Sequence, residues 1–289
     1  MKKLNFIIKC GLALLLLSFY SCESWLNVTP SDRLSEEMLF NDREGFVKAL
    51  NGVYIELNTN ELYGRNLTAG ALDVMGQYYS VASSSHAFYN YGGLVYTGND
   101  EKALFDNMWQ KCYAVIACCN TIIEKCDENK AGLSPVWRGS IKGEALALRA
   151  MLHFDMLRLF GPLTSELDKE SIPYQTNSDQ TVTPLLSGSE VVGLILDDLK
   201  NAVGLLKDTD PYFVEEEFSD TDLNYRRFRM NYFAAKGLMA RVQLWGGDKE
   251  KAAATAKEVI AEGQAEGAEF FPFVTNSEAT SSNPDRVLY

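Results

Sequence analysis

The stretch "GEALALRAMLHFDMLRLFG", residues 143–161, carries the strongest structural signal in the chain. Its apolar residues recur three and four positions apart, which is the spacing that brings side chains to one face of an α-helix. Upstream, Ser134 and the proline after it are typical of a helix N-cap and first turn, and the Gly-Pro pair that begins at Gly161 is typical of a helix end. We therefore predict one long helix over residues 134–160, whose inner face is formed by Ile141, Ala145, Leu148, Leu152 and Leu159.

A second long helix is predicted immediately before it, over residues 100–128. Only a short link separates the two helices, so they are expected to pack antiparallel. The small residues Gly143, Ala147 and Ala150 would let the two backbones approach closely. The apolar face of the earlier helix has the same alternating spacing, and it consists of Phe105, Met108, Cys112, Val115, Cys119, Ile122 and Cys126.

The helical pattern recurs along the rest of the chain. Further helices are predicted over residues 35–57, 187–206 and 229–245. Leu244 is expected on the inner side of the third. After it, Asp248 is expected to cap an Ala-rich helix. Helical hairpins with small residues at their contacts suggest a tetratricopeptide-like array, although a strict period of about 34 residues is absent. The predicted fold class is mostly all-α, built from tetratricopeptide-like hairpins with long irregular binding loops.

Two stretches lack a helical pattern. Residues 78–99, "YYSVASSSHAFYNYGGLVYTGN", are rich in Ser, Gly, Asn and aromatic residues, and residues 209–227 form an acidic insert between helices. Long irregular segments are uncommon in compact helical proteins, where they usually bind ligands or are disordered.

The N-terminus predicts export. Residues 1–21 combine a basic start, a short apolar stretch and a small residue before Cys22, which are the three parts of a cleaved signal. "FYSC" is a loose form of the bacterial lipobox, since Phe19 stands where a leucine is usual, and plain signal cleavage is the alternative. With lipidation at Cys22, residues 22–34 form a lipidated tether and residues 35–289 the helical domain.

The charge balance argues against nucleic acid as a partner. The chain has 27 basic and 39 acidic side chains, a net charge of −12. Without residues 1–21, which contain three lysines and no acidic residue, the balance is 24 against 39, or −15. Binding to phosphate backbones or anionic lipid requires clustered Lys and Arg, and the sequence has no basic run.

The cysteines beyond the N-terminus all fall in one predicted helix. Along that helix Cys112, Cys119 and Cys126 are separated by roughly 10 Å per step, too far for a disulfide or a shared metal ion. We expect them to pack as small apolar residues. Cys118 belongs to the same helix.

The irregular stretch 78–99 contains the best candidates for ligand contact. Sugar sites use aromatic faces for the apolar side of the ring and polar side chains for its hydroxyls, and this stretch offers both, with His86 and Asn99 nearby. The alternative is that its tyrosines cover the core and hydrogen-bond at the rim. The candidate glycan-binding residues are Tyr78, Tyr79, Tyr89, Asn90, Tyr91 and Tyr96.

Enzyme chemistry has little support in the sequence. There are two histidines, His86 and His153, and no marked pair of carboxylates. The acidic run that begins at Glu215 lacks the glycine and the spacing of a calcium-binding EF-hand, so a solvated loop is favoured there. We expect no catalytic residue, no metal ligand and no cofactor.

Four blocks resemble one family in its own order. They are "LNVTPSDRLSEEMLFNDREGFVKALNGVYIEL", "GEALALRAMLHFDMLRLFG", "IPYQTNSD" followed by "SEVVGLILDDLKNA", and "RMNYFAAKGLMARVQLWGGDKEKA". On these blocks the chain is identified as a member of the SusD/RagB family of outer-membrane nutrient-binding lipoproteins. The chain departs from the family pattern in two respects. Pro162 directly follows "LRLFG", and family members are usually far longer than this chain. The chain is therefore expected to be the N-terminal portion of such a protein, with the C-terminal part missing.

The resemblance implies a function and a partner. The family is mostly helical, is held at the outer membrane by its N-terminal lipid on the cell-surface side, and places glycan contacts in the region equivalent to residues 78–99. Its partner is a TonB-dependent transporter of the SusC type. The leading hypothesis is thus a non-catalytic glycan-binding lipoprotein that passes glycan to such a transporter. The alternatives are a tetratricopeptide-type scaffold lipoprotein that binds proteins only, and a secreted glycosidase.

Overall fold

A computed structural model of the protein describes residues 36–179, 181–214, 217–219 and 225–264, together with residues 270, 277 and 280. The predicted signal segment, Cys22 and the tether lie outside the described residues. The described elements are α1 (Glu36–Leu39), α2 (Arg43–Leu57), α3 (Ala71–Met75), α4 (Tyr89–Gly92), α5 (Asn99–Glu128), α6 (Pro135–Phe160), β1 (Glu170–Pro173), β2 (Leu185–Ser187), α7 (Gly188–Thr209), a 3₁₀ turn (Arg226–Phe228), α8 (Tyr232–Trp245) and α9 (Lys249–Gly263).

The central element is α6, and its predicted bounds are confirmed. The Ser134 side chain accepts a hydrogen bond from the Trp137 backbone N–H at 3.3 Å, Pro135 occupies the first turn, and Gly161 caps the C-terminal end. α6 contacts α2, α5, α7, α8 and β1. Because neighbours surround it, most of its side chains are buried and not only those of one stripe.

The antiparallel hairpin of α5 and α6 is confirmed by three contacts along its length. The Cys112 thiol lies 3.8 Å from the Leu152 carbonyl oxygen, and Arg149 donates to the Asn120 side chain at 2.8 Å. Near the turn, Lys142 of α6 pairs with Asp127 of α5. The predicted mostly helical class and its tetratricopeptide-like hairpins are confirmed.

The close approach predicted for Gly143 is real, but it faces a different helix. A β-carbon on Gly143 would lie 2.8 Å from Leu206 Cγ and 3.3 Å from the Ala202 carbonyl oxygen, both on α7. One turn earlier, a β-carbon on Gly139 would meet Thr209 at 2.6 Å. Gly139 and Gly143 of α6 therefore make room for α7, whereas the sequence suggested that Gly143 would face α5.

The remaining elements continue the array. β1 and β2 form an antiparallel pair in the connection from α6 to α7, and α7 then runs back along α6. α8 packs on α7, and α9 packs on α8. At the last contact the Lys236 ammonium donates to Glu262 at 2.8 Å. Each hairpin is thus built from chain neighbours, as in other helical repeat proteins. Every described helix is too short or too polar to cross a lipid bilayer.

Two predicted helices are shorter than expected. The helix predicted over residues 35–57 is broken, because Asp42 caps a new helix by accepting from the Gly45 N–H at 2.8 Å. The helix predicted from residue 229 begins at Tyr232, since Asn231 caps it by accepting from the Ala234 N–H at 2.9 Å. Within that helix Leu244 is 58% exposed and so does not face inward as predicted.

The packing role predicted for the cysteines is confirmed for three of them. Cys112, Cys119 and Cys126 are fully buried in the main core, while Cys118 is exposed. Burial raises the pKa of the Cys126 thiol to about 12, so this thiol stays protonated and unreactive at neutral pH.

Candidate functional site

The irregular stretch predicted around residues 78–99 is confirmed, apart from the short helix α4 and the first residue of α5. Gln77 and Leu94 adopt left-handed backbone angles, with φ of 62° and 55°. Residues with a β-carbon seldom adopt such angles unless their surroundings hold them. The Gln77 side chain donates to the Gly92 carbonyl oxygen at 3.0 Å and so connects the start of this stretch to the end of α4. We call residues 76–98 the tyrosine segment.

Three of the candidate rings project from this segment into solvent. Tyr78 is 80% exposed, Tyr79 is 53% exposed and Tyr89 is 42% exposed. A tyrosine usually covers apolar surface with its ring when it has a core to pack on. Three open rings in one short segment are therefore unusual, and each offers a face on which a flat apolar ligand face can stack.

Tyr91 and Tyr96 are placed differently. Tyr91 is only 2% exposed, because its ring packs against Phe88, Tyr96 and Phe105. Burial, with Glu101 and Asp100 nearby, raises the pKa of Tyr91 to about 12. It has no face left for a ligand, so we withdraw it from the candidates. Tyr96 is half-buried, with 5.3 Å between its ring centroid and that of Phe105.

Asn90 is held by a buried carboxylate, Glu101, which was not among the residues predicted for the site. The Asn90 amide donates to the Glu101 carboxylate at 2.7 Å, and Glu101 is buried in the first turn of α5. The helix dipole favours a carboxylate in that turn. Glu101 thereby holds α4, and with it Tyr89, against the long helix.

Phe88 links the exposed part of the segment to the core. The Arg65 guanidinium lies 5.8 Å from the Phe88 ring centroid, and the His86 ring lies 5.7 Å from it on the other side of the turn. The His86 Nδ1 accepts from the Phe88 N–H at 3.1 Å, so His86 shapes the turn. Arg65 lies outside the predicted stretch, and its role was not visible in the sequence.

His153, the second histidine, is a packing residue. It is fully buried, and its ring stacks on Tyr174 at 3.9 Å. Its Nε2 accepts from the Gln175 N–H at 3.0 Å, so its Nδ1 carries the proton and donates to the Arg149 carbonyl oxygen at 3.0 Å. Burial lowers the pKa of His153 to about 3, so the ring is neutral at physiological pH. A buried ring with both nitrogens occupied does not serve as a general base.

Part of the acidic insert over residues 209–227 is core, contrary to the prediction. Arg226 donates to Asp210 at 2.6 and 3.1 Å and also pairs with Glu144 of α6. Arg229 donates to Glu144 at 2.8 Å, and the Tyr54 hydroxyl donates to the same carboxylate. Burial alone would raise the pKa of Glu144, but Arg226 and Arg229 hold it below its usual value. Glu215 and Glu216 lie outside the described residues.

Among the described residues, no group of three or more His, Cys, Asp or Glu side chains is placed to hold a metal ion. Several acidic side chains instead cap helices, as Asp42, Glu190 and Asp248 do.

Residues 24–244 match the family described as "Starch-binding associating with outer membrane", SusD-like. The chain belongs to the SusD-like family. The match covers the tyrosine segment and all the described helices except the end of α8 and α9, so the site described above lies within the family region.

Curated SusD-like relatives are similar over much of the chain. SusD-like protein P2 of Formosa agariphila is 25% identical over 265 residues, which are 89% of this chain and 46% of that protein. A SusD-like protein of Bacteroides ovatus is 30% identical over 146 residues, 49% of this chain and 23% of that protein. The chain spans less than half the length of these relatives.

Solved SusD-like structures have the same fold. A SusD-like carbohydrate-binding protein of Bacteroides vulgatus superposes with a TM-score of 0.63 at 23% identity, covering 82% of this chain and 47% of that one. A laminarin-binding SusD-like protein superposes with a TM-score of 0.56 at 17% identity, covering 76% of this chain and 43% of that one. In both comparisons the hairpin array of this chain corresponds to a part of a longer protein.

Proposed function

We propose that this SusD-like protein is a non-catalytic glycan-binding protein of the cell surface, which captures oligosaccharide or polysaccharide on the tyrosine segment. The observation that carries the proposal is the exposure of Tyr78, Tyr79 and Tyr89 on a backbone held by Gln77 and Glu101. The family description as starch-binding supports glycan as the ligand class.

The geometry of the segment suits stacking. The rings are large and rigid, and few torsion angles are lost when a ring contacts a ligand. The buried Tyr91 ring packs on Phe105, whose ring centroid lies 6.2 Å from that of Phe160, and the Phe160 and Trp109 centroids are 5.1 Å apart. The segment is thereby attached to the aromatic packing of α5 and α6. Preorganisation of this kind lowers the entropy lost on binding. Stacking on a few open rings gives affinities of about micromolar to millimolar Kd, which suits capture followed by release.

Affinity gel electrophoresis in gels that contain starch or laminarin tests this function. The full chain is expected to be retarded, and the triple variant Tyr78→Ala, Tyr79→Ala, Tyr89→Ala is expected to be retarded less, because the stacking faces of the tyrosine segment are gone. The matched control is Leu244→Ala, which removes an equally exposed apolar side chain from α8. It should be retarded like the unaltered chain.

Three outcomes would contradict the proposal. Equal retardation of the triple variant and the unaltered chain would remove the tyrosine segment from binding. Release of reducing sugar during incubation with the polysaccharide would favour the glycosidase alternative, whereas no retardation on any glycan would favour the protein-binding scaffold.

The anchor and the partner are further parts of the proposal. Lipidation of Cys22 would hold the protein at the outer membrane facing outward, where a SusC-type TonB-dependent transporter would receive the glycan. The family description, which associates its members with the outer membrane, supports this placement.

A Cys22→Ala variant tests the anchor. It is expected to leave the membrane fraction, because stable attachment depends on the acyl chains and the sequence offers no basic patch to replace them. A variant that remains with the membranes would refute a tether at this residue. The neighbouring change Ser24→Ala is the matched control and should stay membrane-bound.

A further inference from the structure

A cleft of about 400 Å³ is formed by residues outside the tyrosine segment. Its floor is α6, one wall is α2, and the other is the chain around the 3₁₀ turn, residues 225–229. This volume is within the range of about 300–1,000 Å³ that small-molecule sites occupy. The tyrosine segment contributes none of its lining.

Aromatic side chains stand at the edge of this cleft. Tyr225 is 62% exposed and Phe228 is 60% exposed. Deeper in the cleft, Trp137 and Phe218 pack against each other with 4.5 Å between ring centroids. The cleft thus offers both open rings and an enclosed aromatic surface to a flat apolar face.

The charges below the cleft cancel. Two carboxylates, Glu144 and Asp210, are paired with two guanidiniums, Arg226 and Arg229. Arg229 also donates to the Asn51 side chain at 2.6 Å. Because these charged groups are already paired with one another, they gain little from a charged ligand, which would lose its hydration on entry. The ligand class that fits is therefore neutral.

One polar group in the cleft lacks a partner. The Trp137 indole N–H is buried, and no hydrogen-bond acceptor lies within reach of it among the described residues. An unpaired buried donor of this kind is costly and uncommon. Arg43 lies over the same ring at 4.6 Å, which holds the indole in place without satisfying its N–H. A ligand that supplies an acceptor to this group would gain a hydrogen bond that the free protein does not make.

We infer that this cleft is a second binding site, for a neutral polyhydroxylated ring such as one or two sugar units. The apolar face of the sugar stacks on Tyr225 and Phe228, and a hydroxyl accepts from the Trp137 indole N–H after a small displacement of the Phe218 ring. The side chains of Asn51 and Arg229 lie beside the other hydroxyls. This second site shares no residue with the tyrosine segment, so the two proposals can be tested separately.

The test follows the Trp137 indole N–H by ¹H–¹⁵N NMR in the full chain, with its resonance assigned from Trp137→Phe. Maltohexaose and laminarihexaose are titrated to millimolar concentration. We expect the Trp137 resonance to move and saturate while those of Trp109 and Trp245 stay in place. The double variant Tyr225→Ala, Phe228→Ala should weaken the Kd of that shift about tenfold. Both of its rings are exposed, so the fold should be retained.

The tyrosine-segment variant separates this inference from the proposed function. Tyr78→Ala, Tyr79→Ala, Tyr89→Ala should leave the Trp137 titration unchanged even if it abolishes retention in gels. A Trp137 resonance that does not move with either sugar, or that moves with the same Kd in the Tyr225 and Phe228 variant, would overturn the second site. Saturation of Trp137 without any effect of the tyrosine variant in gels would sustain this site and defeat the other.

Discussion

Arg149 and Asp198 illustrate how single residues fix the arrangement of the helices. Arg149 of α6 donates two hydrogen bonds of 2.7 Å to Asp198 of α7, and the Tyr174 hydroxyl donates to the same carboxylate at 2.5 Å. Both charges are buried. A buried ion pair contributes little net stability compared with an apolar pair, but it is strongly destabilising when one partner is lost. Such pairs therefore select one register of α6 on α7.

The change Arg149→Met tests how much stability is lost when one partner of the buried Arg149–Asp198 pair is removed. It leaves the Asp198 carboxylate buried without its cation, so the free energy of unfolding should fall by about 3–5 kcal/mol. Urea denaturation followed by circular dichroism measures it. Lys169→Met, which removes an exposed ion pair with Glu166, is the matched control and should cost less than about 1 kcal/mol. Equal losses in the two variants would show that burial of the pair is irrelevant.

His153 gives stability a pH dependence. Burial lowers its folded pKa to about 3, below the ordinary value of 6.5. Between these values the unfolded chain binds a proton that the folded chain does not bind, so stability is highest above pH 6.5 and falls as the pH decreases towards 3. From pH 6.5 to 5 the loss attributable to His153 is about 2 kcal/mol.

The variant His153→Gln should remove this slope. The measurement is the urea midpoint at several values between pH 5 and 6.5, a window above the usual range of the carboxylates. His86→Gln changes an exposed histidine and should keep the slope of the unaltered chain. A slope that survives in the His153 variant would mean that other groups cause it.

At the scale of elements, the contact between α6 and α7 depends on glycine. Gly139 and Gly143 lie where a β-carbon would meet Thr209 and Leu206 of α7. The two helices are thereby packed closely enough for the Arg149–Asp198 pair to form between them. Gly204 lies on α7 itself, but a β-carbon there would have no atom within 4 Å.

Gly143→Ala and Gly204→Ala should change stability in opposite directions. The first forces a β-carbon against Leu206 and should destabilise the fold by about 1–2 kcal/mol, because overpacking exceeds the gain in helix propensity. The second adds only helix propensity and should stabilise it by about 0.5–1 kcal/mol. Thermal unfolding of both variants measures the difference, and stabilisation by Gly143→Ala would contradict the close approach.

At the scale of the whole molecule, α6 lies at the centre of the helix array and α9 lies at one end of its described part. α6 contacts four other helices, whereas the main helix contact of α9 is with α8 alone. In an array whose repeats touch only their neighbours, local stability follows the number of interfaces each helix shares.

Amide hydrogen exchange should therefore be slowest in α6 and fastest, among the long helices, in α9. Lys236→Met removes the ion pairs to Glu258 and Glu262 that fasten α9 to α8, and it should speed exchange in α9 with little effect in α6. Mass spectrometry of peptides from the two helices measures this. Faster exchange throughout the chain would instead show that the array unfolds as a single unit.

Much of this architecture was determined by the sequence alone. The spacing of apolar residues, the helix caps and the Gly-Pro end predicted α5, α6 and their antiparallel packing. These signals could be read from the sequence because they are local properties of the chain. The four blocks in register predicted the family. The irregular stretch near residues 78–99 was likewise visible in its composition.

Tertiary structure decided which of those residues face solvent and which lie inside. Tyr91 and Tyr89 are two positions apart in one aromatic stretch, yet Tyr91 is buried against Phe105 and Tyr89 is exposed. The partner of Gly143, the burial of Asp210 and Arg226, and the unpaired N–H of Trp137 were hidden for the same reason. Each depends on contacts with residues that are distant in the sequence. Local sequence patterns do not specify which distant side chains will pack at a given position.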